Sequence, residues 1–241
     1  MMNMQCGPLK AVYRTFCVVV LFSIAFGYIE SAVVVYLRQI FYPEGFTFPL
    51  NSFGLGDPIF RPLLLTEVGR EAATILLILT GAWLAGRNTQ QRVAYFMTIF
   101  AVWDIFYYVW LYVLIRWPAS IMDWDILFLI PGAWASPVLY PVIISITMLV
   151  FAVVILCRDS LGSPIKASAA DWIIFCGGGA IVLWSLCTAG HYITMPDYAS
   201  HFHWPLFAVG EALIIARFLR CLLISRKTCT RSKGAVRHEI T

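Results

Sequence analysis

Apolar runs of about twenty residues return along the whole chain, and nothing else in the sequence restricts its fold as strongly. One of them, Val93–Trp117, is long enough as a helix to cross the roughly 30 Å of bilayer hydrocarbon, at about 1.5 Å per residue. In lipid every backbone N–H and C=O needs a partner inside the protein, which leaves helices or a closed barrel. Barrel strands would alternate apolar and polar residues, and these runs do not. Composition agrees: 61% of residues are hydrophobic and 12% charged, where a soluble domain has about half and a quarter. The fold class that follows is an all-α integral membrane protein, a bundle of about six transmembrane helices.

Spans are expected at about 16–37, 66–85, 93–115, 138–157, 172–190 and 205–225. Residues 1–225 then form a single transmembrane helical domain, and 226–241 a basic tail. The first span is expected to be retained, since no small-x-small cleavage site follows Phe16–Phe26 and the apolar run resumes at Ala32. Within it Ser23, Gly27 and Ser31 recur every fourth residue, a spacing that lets another helix approach closely. Asp125–Cys157 is too long for one span and too short for two, and Pro131, Gly132 and Pro137 interrupt it. A short interfacial or re-entrant helical piece is therefore expected at 126–130, a seventh helical segment. The Arg38–Leu65 connection, rich in proline and glycine, is expected to fold over the bundle as a lid.

An even number of spans puts both termini on one side. Lys10, Arg14, Arg87, Arg92, Arg158, Lys166 and the basic tail all fall on that side, which makes it cytoplasmic. An inner or plasma membrane is the expected location. The net charge of +4 thus reads as a topology signal, with no nucleic acid among the partners. The bilayer is the implied partner, with further copies of the chain or other membrane subunits as candidates.

The ionisable residues inside these spans do not scatter. Glu30 lies about 10 Å below the outer end of its helix and Glu211 about 9 Å below the end of its own. Glu67, Arg70 and Glu71 share one helical face, and one arginine cannot neutralise both glutamates. Asp125 begins the segment after the outer turn, and Asp104 sits midway along its span with Tyr108 one turn on. A charge at such a depth costs about 2.5–3.5 kcal/mol on insertion scales and marks functional sites by default. Together these groups imply an acidic, aromatic pocket opening outward, with Asp104 as its floor. Asp104 would act as a proton carrier, cation ligand or general acid, or be an acid held in place by Tyr107, Tyr108 or an arginine. The triplet Trp-Asp-Ile recurs at 103–105 and 124–126, which carries meaning only if the two acids prove to be neighbours.

His191, His201 and His203 form a candidate metal set, although their spacing matches no metal motif. The seven cysteines include no CxxC pair, and HExxH, GxSxG and phosphate-loop patterns are missing. No cofactor is named by the sequence. The function expected is binding of a proton, small cation or small ligand in the outward pocket, by a transport-type protein or a membrane subunit of a larger complex. Two alternatives stand beside it: a membrane-embedded enzyme using an intramembrane acid on a lipophilic substrate, and a structural anchor.

Overall fold

The computed structural model describes residues 6–51 and 60–238, with side chains for 10–51 and 60–225. Its helices are α1 (Cys6–Phe41), α2 (Phe60–Ala85), α3 (Thr89–Ile115), α4 (Leu139–Ser160), α5 (Ala169–Thr188) and α6 (Trp204–His238). Between α3 and α4 lie two strands, β1 (Trp124–Phe128) and β2 (Trp134–Pro137), and a 3₁₀ turn at Tyr198–His201 precedes α6. The protein is mostly helical, and four helices are long and apolar enough to cross a membrane: residues Lys10–Phe41 of α1, then α3, α4 and α5. The other two helices carry more charge. Glu67, Arg70 and Glu71 crowd the first half of α2, and Glu211, Arg217 and Arg220 punctuate α6.

Large apolar side chains point away from the protein along these helices. Leu84 is 85% exposed, Ile173 72% and Trp184 69%. A water-soluble monomer rarely leaves so much apolar surface uncovered, so this exterior is suited to lipid.

Helix α3 is the centre of the bundle, packing against α1, α2 and α4, while α5 and α6 pack chiefly on each other. The small residues of α1 serve as their spacing implied. A Cβ on Gly27 would stand 3.0 Å from the Trp103 carbonyl oxygen, so glycine is what allows α1 and α3 to touch backbone to backbone. One turn later the Ser31 hydroxyl donates to the Tyr107 carbonyl at 2.9 Å, tying the two helices together. Gly178 and Gly210 do the same for α5 and α6, each leaving room for the other's carbonyl. That contact sets the rotation of α6 and with it the direction of the next residue, Glu211.

Helix ends follow their sequence signals. Asn88 caps α3, its side chain accepting from the Gln91 N–H at 2.9 Å, which starts the helix four residues before the expected Val93. Ser168 and Asp171 form a reciprocal capping box on α5. Asp171 also pairs with Arg217 of α6.

One expectation needs correction. Residues 126–130 are not helical. Trp124–Phe128 pairs antiparallel with Trp134–Pro137, in a register that sets Asp125 opposite Ser136 and Phe128 opposite Trp134. Pro131-Gly132 cannot continue a helix, and a short return strand satisfies the backbone of 124–128 in the way that remains open inside a bundle. Helix α6 runs without a break through 226–238, into the basic tail. Of the expected lid, 52–59 lie outside the described residues and 60–65 begin α2. The lid's first part does fold over the hairpin end of the bundle. Leu50 is buried and its N–H donates to the Ile193 carbonyl at 2.7 Å. Phe48 packs on Trp124 and Tyr198.

Candidate functional site

A cavity of about 680 Å³ runs through the bundle, between the α1–α4 group on one side and the α5–α6 pair on the other. Glu30, Glu67, Arg70, Glu71, Asp104, Asp125 and Glu211 all line it, although they come from four helices and a strand. Toward the opposite end of the bundle the lining turns apolar, with Met97, Met148, Phe151, Phe175 and Phe218 on its walls. Its size suits a small organic ligand.

The charged lining is built in two clusters. In the first, Arg70 reaches across from α2 to Glu30 of α1 and also grips Glu67 one turn back on its own helix. One guanidinium thus serves two carboxylates, Glu30 and Glu67. Glu71 points elsewhere: its two carboxylate oxygens accept from the Leu129 N–H at 3.0 and 2.8 Å. Leu129 follows the last residue of β1, so Glu71 satisfies a backbone donor that the hairpin leaves unpaired.

In the second cluster, Arg38 at the end of α1 donates to Asp125 Oδ1 of β1 at 3.0 Å. The guanidinium is sandwiched between aromatic faces, 3.7 Å from the Trp117 ring centroid and 4.1 Å from that of Phe46. The Tyr107 hydroxyl donates to Asp125 Oδ2 at 3.1 Å. Sequence reasoning did not single out Arg38, because it stood at the edge of an expected loop. Its signal was the run of aromatic residues nearby in the lid and the outer turn, which offer faces for a cation.

Asp104 is buried, and the Ser145 hydroxyl of α4 donates to its Oδ2 at 2.7 Å. Neither tyrosine expected to hold it does so. Tyr107 reaches Asp125, and Tyr108 is buried among Leu111, Val138 and Tyr107, with its hydroxyl unpartnered among the described residues. Asp104 and Asp125 face the same cavity, so the repeated triplet does supply two neighbouring acids. One is helical and the other lies in a strand, and their partners differ, so the repetition is not a structural repeat.

Four cavity-lining residues hold a buried polar atom without a hydrogen-bond partner among the described residues: Arg38 Nη1, Glu211 Oε2, Trp103 Nε1 and Trp134 Nε1. Phe128 stands between the two indoles, with ring centroids 5.9 Å from Trp103 and 5.3 Å from Trp134.

The histidines lie outside the cavity. His201 Nε2 is 3.2 Å from Asp197 Oδ2 and its ring stacks on Tyr192, while His191 and His203 are exposed. Among the described residues no group of three or more His, Cys, Asp or Glu is placed to hold a metal ion.

Compared with known protein families, curated proteins and solved structures, the chain matches none of them, so its function has to be argued from this cavity.

Proposed function

We propose that the chain is a six-span membrane protein with both termini in the cytoplasm of an inner or plasma membrane. Its outward-facing acidic, aromatic pocket binds a small amphiphilic ligand, in the service of transport or of a larger membrane complex. α2 and α6 count as the remaining two spans, because Glu67, Arg70, Glu71 and Glu211 turn into the cavity, where the α2 charges meet one another, Glu30 and the Leu129 N–H. The cytoplasmic side is assigned by the basic residues at the inner helix ends.

One observation carries the functional claim. A single cavity joins the two acid–arginine clusters, at the hairpin end, to an apolar cleft that continues between α4 and the α5–α6 pair. A proton or cation pathway would need polar groups along its full length, and the inner half of the cleft is lined mainly by apolar side chains such as Met97, Met148, Phe151 and Phe218, with Thr89, Gln90 and Thr147 as its few polar ones. An amphiphile matches both halves, with its head among the charged groups and its body along the apolar walls.

The enzyme alternative draws on Asp104. Its carboxyl is buried at the head of the cleft with one side-chain hydrogen bond, from Ser145. A general acid acting on a lipophilic substrate would occupy such a place.

Native mass spectrometry of protein released from micelles tests the proposal. Wild type should retain a small lipophile, and Met148→Trp, which fills the cleft from α4, should lose it. Equal occupancy in the two proteins would count against the cleft as the binding site.

A further inference from the structure

Followed around the cavity, the helices meet at every junction but one. α2 packs on α3, and α3 on α4. α4 meets α6 through Phe151 and Phe218, whose rings stack with centroids 3.8 Å apart. α6 packs on α5 at the Gly178–Gly210 contact. Between α5 and α2 there is no extended packing among the described residues, although both helices line the cavity.

The edges of this gap lead to the lipid-facing surface. Trp172 and Leu183 of α5 line the cavity and are still 46% and 37% exposed. They stand about 16 Å apart along the helix at 1.5 Å per residue. Gly179, between them, also lines the cavity, and a Cβ there would meet nothing within 4 Å. Leu63 and Leu64 of α2 belong to the opposite edge.

The two ends of the bundle, by contrast, are covered. At the hairpin end the lid crosses from α1 to the turn between α5 and α6, where the Leu50 N–H donates to the Ile193 carbonyl at 2.7 Å. At the far end Gln90 of α3 straps down the α4–α5 loop. Its Nε2 donates to the Ile165 carbonyl at 2.6 Å, and its Oε1 accepts from the Ile165 N–H at 3.2 Å. A ligand arriving from water has to displace a cover, whereas a hydrocarbon chain in the bilayer meets the gap directly.

Charge limits which lipids fit. Six carboxyl groups line the cavity against two guanidinium groups, and Arg38 and Arg70 are both engaged with carboxylates already. An anionic head group would meet like charges there without a cation to spare.

We infer that the gap between α2 and α5 is a side entrance from the bilayer. The ligand is a membrane lipid without an anionic head group, and one of its hydrocarbon chains enters the cleft through this gap. This rests on the amphiphile-binding role of the cavity and adds the route and the class of ligand to it.

The test uses the full chain in nanodiscs and a diacylglycerol with a diazirine near the end of one chain, with labelling of the Met97 and Met148 peptides read by mass spectrometry. A side entrance admits one chain while the other stays in the bilayer, so wild type should be labelled at both. Gly179→Trp, which fills the gap, should cut this labelling about tenfold, and Gly177→Trp, where a Cβ also meets open space, should leave it unchanged. A phosphatidic acid with the same chains should label about tenfold less than the diacylglycerol. A short-chain diazirine alcohol added from water is the comparison probe. Cleft labelling by that alcohol but not by the diacylglycerol overturns the side entrance while leaving amphiphile binding intact. Equal labelling by phosphatidic acid overturns the head-group class. Absence of cleft labelling by every probe removes the amphiphile role itself, and the entrance with it. The wild-type comparison of probes decides the matter even if Gly179→Trp does not fold.

Discussion

Arg38 and Asp125 form a buried ion pair in which both partners are almost fully withdrawn from solvent, with side-chain exposures of 9% and 2%. The pair clamps the end of α1 to the β1–β2 hairpin, and Trp117 and Phe46 close over the guanidinium from either side. Removing one member of such a pair strands the other charge. Arg38→Met should therefore cost about 3–5 kcal/mol of stability. Arg38→Met combined with Asp125→Leu should recover most of that loss, since a well-packed apolar pair is often as stable as a buried salt bridge. Thermal unfolding in detergent reads both. A double variant as unstable as the single would show that the clamp contributes more than charge balance.

The Glu71 carboxylate supports the hairpin at the other corner, by accepting from Leu129 N–H. Glu71→Ala leaves that N–H unpaired inside the bundle, at a cost of about 1–3 kcal/mol. Hydrogen exchange should rise in the hairpin, over residues 124–137, well before it rises in α3 or α4. Glu71→Gln keeps an acceptor oxygen and should protect the hairpin better than alanine does. Uniform loss of protection in every helix would mean that the contact holds the bundle and not the hairpin locally.

Gly27 is placed against the backbone of α3, and there is no side chain there to move aside. Gly27→Leu should separate α1 from α3 and cost about 1–3 kcal/mol or more, seen as a poor yield of folded protein after extraction. Gly177→Leu is the matched control, because a Cβ there meets open space. Similar yields for the two variants would contradict the close α1–α3 approach.

Orientation can be tested at Ala199, which is exposed in the turn before α6. A membrane-impermeant thiol reagent applied to intact cells should label Ala199→Cys above the background of the native cysteines. Labelling that appears only after permeabilisation would invert the assigned topology.

Much of this arrangement was legible in the sequence because the physics of lipid is severe. An apolar run of that length can hardly be anything but a helix, and acids in such runs turn toward one another. Seven of the acidic and basic candidates accordingly line one cavity. The pairings were less legible. Which carboxylate takes which partner depends on rotations fixed by contacts such as Gly27 with Trp103 and Gly178 with Gly210, and those link residues far apart in sequence. The hairpin was hidden for a related reason. Trp124–Phe128 has no strand-like alternation strong enough to stand out, and its identity depends on the return segment after Pro131-Gly132. Arg38 went unnoticed because its value comes from Trp117, Phe46 and Asp125, none of them on its own helix.

The account depends most on the cavity being a seat for a lipophilic ligand, and the location of photolabelling tests that most directly. A diazirine-bearing long-chain alcohol, activated in nanodiscs, should label the cleft walls at Met97 and Met148 more heavily than outward-facing residues such as Leu84 and Ile173, and Met148→Trp should abolish the cleft labelling. Labelling confined to Leu84, Ile173 and the rest of the lipid-facing surface, unchanged by Met148→Trp, would contradict it.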